Sequence, residues 1–349
     1  MTATLITFLK ARQTIWAKAI STLKGNLTMK TRNKIILSTA LAMGMAEMAS
    51  EANFIFESVL SRGNKLDLAK CADLSKEEKI VENDNRNEGK KRSLWEQKSR
   101  NCFCYVKGYD DTPLYCKIYL QKNFCKRWVL VVHGYGGDGS TLAYASKKFY
   151  DRGYNVVVPD LRAHGKSGGK YIGMGQIDSR DIIKIIHLII KGNSNAEIYM
   201  YGVSMGGAAV LMTASENLPE NVKAVISDCS FDNANKIIGY ELKHNFRLPS
   251  FPIVGLIDFM CLNKAKYDLR LASPIDRVEY IKIPALFIHG GNDNLVPTKM
   301  VYNLYKKARC KKALMIINEA GHGVSALVDG KKYWRGVFGF IDKVGKQKK

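Results

Sequence analysis

From residue 102 onward, short apolar runs alternate with amphipathic ones. "CFCYVKGYDDTPLYCKIYL" holds two stretches around an Asp-Asp-Thr-Pro turn, the pattern of two paired strands. "RWVLVVHG", "YNVVVPD", "AEIYMYGVS", "VKAVISDCS", "IPALFIHGG" and "KKALMIINEAG" are apolar without alternation, which predicts strands buried on both faces. Between them lie "STLAYASKKFYDRG", "DIIKIIHLIIKG", "MGGAAVLMTASEN" and "TKMVYNLYKKA", followed at the end by "KKYWRGVFGFIDKVGK". Apolar residues spaced three and four apart, as in "DIIKIIHLIIKG", predict helices. Buried strands separated by helices specify an α/β fold: a mostly parallel sheet covered on both faces, here with the first two strands as an antiparallel edge. One connection breaks the rhythm. About fifty residues separate Phe231 from Tyr280, and they are rich in Phe, Leu, Ile and Tyr. A long insertion inside a compact domain is commonly functional. Residues 232–280 therefore read as a helical cap over the carboxyl ends of the strands, where ligands bind in open α/β sheets.

The N-terminal part has a different pattern. Residues 1–46 contain seven Lys or Arg and no acid, and within them begins the mildly apolar "KIILSTALAMGMAEMAS" (Lys34–Ser50). This stretch falls short of the roughly 18 apolar residues of a membrane span. Three readings stay open for it. It is a basic amphipathic segment that lies on an anionic membrane surface; or a signal-like segment, with "MKTRNK" as charged region and "EMAS" as cleavage site; or an N-terminal helix packed on the core. Residues 72–101 are polar and highly charged and read as a surface helix followed by a linker. The domain boundary is expected near residue 98. It separates a basic helical segment and charged linker (1–98) from the α/β domain (99–349).

Composition narrows this picture. With 46% hydrophobic and 25% charged residues in 349, the chain is not disordered as a whole. The 54 Lys+Arg against 32 Asp+Glu leave a net charge of +22. Such a surface attracts anions, whether nucleic acid, acidic headgroups or acidic substrates. No helix-turn-helix, zinc-finger or aromatic RNA-binding signature is present, so a specific nucleic acid is not expected as partner. None of the eight cysteines has C-x-x-C spacing, which argues against a zinc site or redox motif. They read as reduced thiols of a cytoplasmic protein, with a disulfide among the four between 102 and 125 left open.

The candidate chemistry centres on "YGVSMGGAAV", where Ser204 falls between a strand and a helix. Gly202 and Gly206 stand where a side chain would collide in a turn that tight. The turn lifts the hydroxyl clear of the sheet and leaves the Met205 N–H free to donate to a developing oxyanion. A serine needs a base. His322, in "NEAGHG" after the last strand, can reach the turn from the far side. An acid between the two in sequence would hold the imidazole in its useful tautomer. Asp293 in "HGGNDNLVP" fits that place, and Asp228 in "SDCS" competes with it. The glycines of "HGYGGDGS" let the loop after the first parallel strand curl, so that the Tyr135 N–H can supply a second oxyanion donor. His133 reads as a structural loop residue.

"VVHGYGG", "PDLRAHGKSGG", "YGVSMGGAAVLM", "FIHGGNDNLVP" and "EAGHG" occur in the order and context of the α/β-hydrolase superfamily. Over about residues 100–345 the chain resembles its bacterial serine-aminopeptidase-like, acyl-peptidase-like group. The resemblance implies Ser204 as nucleophile, Asp293 as acid, His322 as base, and Tyr135 and Met205 as oxyanion amides. It also implies that Asp160 and His164 organise the site without doing chemistry. The expected activity is hydrolysis of carboxylic esters, with amide or peptide bonds as the harder variant. No motif demands a metal or organic cofactor. The alternative is a non-catalytic hydrolase-fold protein that binds an anionic membrane or partner.

Overall fold

The computed structural model describes residues 31–63 and 74–346. Its eight strands are β1 (Arg100–Lys107), β2 (Pro113–Leu120), β3 (Arg127–Val132), β4 (Asn155–Pro159), β5 (Glu197–Val203), β6 (Val222–Asp228), β7 (Ala285–Gly290) and β8 (Lys312–Ile317). They form one sheet in the order β1-β2-β4-β3-β5-β6-β7-β8. β2 runs antiparallel to both β1 and β4, and every pairing from β4 to β8 is parallel. The antiparallel edge expected from the first two strands is therefore present.

Helices cover both faces, which is why the central strands are apolar throughout. They are α1 (Thr31–Leu60), α2 (Ser75–Lys98), α3 (Ala143–Asp151), α4 (Gln176–Gly192), α5 (Met205–Ala214), α6 (Ala234–His244), α7 (Ile253–Met260), α8 (Lys299–Lys307) and α9 (Gly330–Lys346). Along β3, Val129 and Val131 point into a core shared with Phe149 of α3 and Tyr333, Trp334 and Val337 of α9. Leu130 and Val132 point the other way, into a core built with α4, α5, α8 and the cap. This is the period-two alternation of a strand, with both faces buried.

The cap occupies the expected insertion, with α6, α7 and short helical turns between β6 and β7. α1 packs against α7 and buries Ala52, Ile55, Phe56, Val59 and Leu60 in the same core as the cap. These buried residues belong to 52–60, the part of α1 that follows the Lys34–Ser50 stretch, and residues 1–30 lie outside the described residues. No helix among the described residues is long and apolar enough to cross a membrane. The polar 72–101 stretch differs from the expected helix and linker. From Ser75 to Lys98 it is one helix, and β1 starts two residues later. Trp95, near its end, stacks on Tyr119 of β2, so no flexible linker separates this helix from the sheet.

The hairpin turn is held by charge. Buried Arg162 makes paired hydrogen bonds of 2.8–3.0 Å to Asp110 in the turn and to Asp181 on α4. The guanidinium keeps the Asp110 carboxyl well below the usual carboxylate range. The seven described cysteines are free thiols. Cys104 and Cys116, opposite each other in the β1–β2 ladder, are therefore not bridged. Cys71 lies outside the described residues.

Candidate active site

Ser204 is the single residue between β5 and α5, with φ 57° and ψ −120°. A non-glycine residue at such angles is strained and persists only where its surroundings impose it. Here they do. The Ser204 amide donates to the Asp228 carbonyl at 2.8 Å, locking the turn to β6. A Cβ on Gly202 would run into the Gly206 backbone, and one on Gly206 into the carbonyls of Val132 and His133. The two glycines are therefore required by close approach of three backbones.

Three loops converge on this turn. His322, after β8, places Nε2 2.9 Å from Ser204 Oγ and Nδ1 2.7 Å from Asp293 Oδ2. Asp293, after β7, is 6% exposed. Its Oδ1 accepts from the amides of Leu295 (3.0 Å) and Val296 (2.7 Å). Its Oδ2 is also 3.1 Å from His289 Nε2. Burial alone would raise the Asp293 pKa, but the neighbouring His322 and His289 hold it well below the carboxylate range. For His322 burial acts downward, and the Asp293 carboxylate outweighs it, so the imidazole is raised well above its ordinary value. Ser204, His322 and Asp293, separated by up to 118 positions in the chain, thus form one hydrogen-bonded series.

Asp228, the competing acid, is also near but engaged elsewhere. Its Oδ2 accepts from Tyr333 at 2.8 Å, and Tyr333 is bonded to Tyr201, also at 2.8 Å. Burial pushes this carboxyl up to about 6. It braces the floor beneath the serine turn.

Met205 is the first residue of α5, where an amide has no preceding helical turn to donate into. The loop after β3 abuts the serine: a Cβ on Gly134 would stand 3.1 Å from Ser204 Cβ. Tyr135 follows, and its hydroxyl donates to the Val59 carbonyl of α1 at 2.6 Å. The rest of the loop is pinned from the 160–168 segment. Gly136 N–H donates to His164 Nε2 (3.2 Å) and Gly139 N–H to Asp160 Oδ1 (2.8 Å). His133 Nε2 accepts from Leu161 N–H at 2.9 Å. Burial pushes His133 down to about 3, so it stays neutral and structural. Of the remaining histidines, His187 and His244 are exposed.

Four features here lie outside the sequence motifs. His289 reads like His133, a histidine before glycine, yet it helps hold Asp293. Cys229 places Sγ 4.0 Å from His322 Nε2. Val59 reaches the loop from α1. Glu241 on α6 is 3% exposed, and its Oε1 has no hydrogen-bond partner among the described residues. The charges of His322 and Asp293 act on it, and burial pushes it up to about 7. No group of three or more His, Cys, Asp or Glu among the described residues is placed to hold a metal ion.

Sheet order, strained serine turn and cap are those of one fold, and the comparisons agree on it. Residues 127–252 match the family described as alpha/beta hydrolase fold. The chain is 33% identical over 197 residues to an uncharacterised protein of Bacillus subtilis, YqkD, covering 56% of this chain and 65% of that one. It is 26% identical over 253 residues to the monoglyceride lipase of Mus musculus, covering 62% of this chain and 81% of the lipase. The Pyrococcus furiosus esterase Pf2001 superposes with a TM-score of 0.59 at 21% identity, over 71% of this chain and 94% of that one; at that identity the likeness shows the fold. The chain thus has the α/β-hydrolase fold, with residues 127–252 matching that family. It spans just under two thirds of the length of YqkD.

Proposed function

We propose that this protein is a serine hydrolase that cleaves carboxylic esters through Ser204, His322 and Asp293. The observation that carries the reading is the continuous hydrogen-bonded series from Ser204 Oγ through both His322 nitrogens to a buried carboxylate. A scaffold that only binds has no need of these three groups in that order.

In the proposed reaction His322 Nε2 takes the Ser204 proton as Oγ attacks the ester carbonyl. Asp293 keeps the other proton on Nδ1 and stabilises the imidazolium. Negative charge develops on the carbonyl oxygen, to which the amides of Met205 and Tyr135 donate in this reading. His322 then gives its proton to the departing alkoxide, which leaves as alcohol and an acyl-Ser204. Water, deprotonated by His322, attacks the acyl carbon, and the acid leaves as Ser204 recovers its proton. Amides require the same steps with a poorer leaving group. The likeness to a monoglyceride lipase favours esters of fatty acids among the substrates.

The test is the intact mass of the purified chain after a fluorophosphonate probe, beside Ser204→Ala. The reading expects one adduct on the wild type and none on the variant. A folded wild type that takes no adduct would overturn it and leave a fold that binds without catalysing.

A further inference from the structure

The cap carries an apolar surface that the active site does not use. α7 and its flanks read "FPIVGLIDFMCL", twelve residues with one charge. Ile253, Ile257 and Cys261 point inward and are at most 3% exposed. The opposite stripe is Phe251, Gly255, Phe259 and Leu262, at spacings of four, four and three. Its large members stand in water: Phe251 is 86% exposed, Phe259 62% and Leu262 43%. A helix that is apolar all round is normally covered on all sides. Single exposed apolar residues are ordinary on any surface, but a periodic aromatic stripe is not. α1 lies alongside α7. Lys264, just past α7, bonds Asn53 and Glu57 of α1, and beside them Phe54 is 46% exposed.

Charge identifies the occupant. Around α7, Lys243, Arg247 and Lys266 stand beside one carboxylate within residues 242–267, Asp258, while Lys264 is paired with Glu57 of α1 at 2.9 Å. Both Asp258 oxygens accept from Asn235, at 2.8 and 3.0 Å. Lys243, Arg247, Lys264 and Lys266 are all exposed. Exposed aromatic side chains with exposed lysine and arginine close by in the chain suit a surface whose headgroups are anionic and whose interior is apolar. A second copy of this chain fits poorly, because it would bring +22 against +22. We infer that the outer stripe of α7, with Phe54 of α1, is a docking surface for an anionic lipid bilayer. Docking there sets the cap against the membrane. The inference does not depend on Ser204 being reactive.

The experiment is flotation of the full-length chain with phosphatidylcholine vesicles, with and without phosphatidylserine. The wild type should float with the phosphatidylserine vesicles and be released by high salt. The double variant Phe251→Ser, Phe259→Ser should lose at least about tenfold in partitioning, with unchanged circular dichroism and fluorophosphonate labelling. Lys243→Glu with Lys266→Glu should abolish the preference for phosphatidylserine. A wild type that ignores both vesicles overturns the inference, as does a double phenylalanine variant that floats like the wild type. So does a wild-type dimer in sedimentation velocity that the phenylalanine variant converts to monomer, which would make the stripe a self-association surface. Failure of labelling with intact flotation would instead count against the hydrolase reading alone.

Discussion

Asn at position 293 would separate the charge of that side chain from its shape. Asp293 has two distinct ends. Oδ1 takes the amides of Leu295 and Val296, and Oδ2 faces His322 Nδ1 at 2.7 Å. In Asp293→Asn the amide oxygen keeps the two backbone donors, because a donor placed there would leave both N–H groups unsatisfied at a cost of about 1–3 kcal/mol each. The amide nitrogen must then face His322. Two donors cannot meet, so Nδ1 gives up its proton and Nε2 carries it toward Ser204 Oγ. The imidazole is then in the wrong tautomer to accept the serine proton. The expected loss in kcat is about 10⁴-fold, or about 5.5 kcal/mol, with little change in KM for a small activated ester. Stability changes less, since the packing and the backbone bonds survive. The assay is stopped-flow hydrolysis of a p-nitrophenyl ester, with thermal unfolding in parallel and Asp228→Asn as control. If Asp293→Asn stayed within about tenfold of wild type while Ser204→Ala was inactive, the tautomer argument would be wrong. A large loss confined to Asp228→Asn would move the acid to β6.

Three further outcomes follow from the geometry. His322 must be neutral to act as base, and Asp293 raises its pKa, so kcat/KM should climb with pH along a limb centred above the ordinary histidine value of 6.5; a midpoint at or below it would show that Asp293 does not hold the imidazolium. Glu241 is pushed up to about 7 in the folded chain from an ordinary 4.5, so between those values the folded state binds more protons and stability should fall as pH rises. Glu241→Gln should flatten that fall by on the order of 2 kcal/mol, read from urea midpoints at pH 5 and pH 8, and equal slopes for the two proteins would refute the burial argument. Gly206→Ala, whose Cβ would meet the carbonyls of Val132 and His133, should cost on the order of 3–5 kcal/mol or yield no soluble protein; a normal melting curve with full activity would mean that the strand ends give way more easily than their packing implies.

Much of this molecule was legible before folding. Unalternating apolar runs separated by helical ones determine a parallel sheet covered on both faces, because only burial on two sides removes the need for alternation. The glycines around Ser204 determine a tight strand-to-helix turn, and the positions of Asp293 and His322 after later strands make them its partners in order. Local pattern stops where two residues satisfy the same rule. Asp228 ends one strand next to the site and Asp293 follows another. Only the tertiary structure gives Asp293 to His322 and Asp228 to Tyr333, because hydrogen-bond partners depend on which side of the sheet each loop turns. His133 and His289 both precede glycine, yet one braces a loop from the 160–168 segment and the other faces a carboxylate. The charged residues up to Lys98 read as partly linker because charge resembles solvent, whereas Trp95 and Tyr119 stack across a distance in sequence that no local window sees. In α7 every residue but Asp258 is apolar or glycine, so the pattern alone does not say which side is covered. The fold decides it by packing Ile253 and Ile257 inward and leaving Phe251 and Phe259 in water.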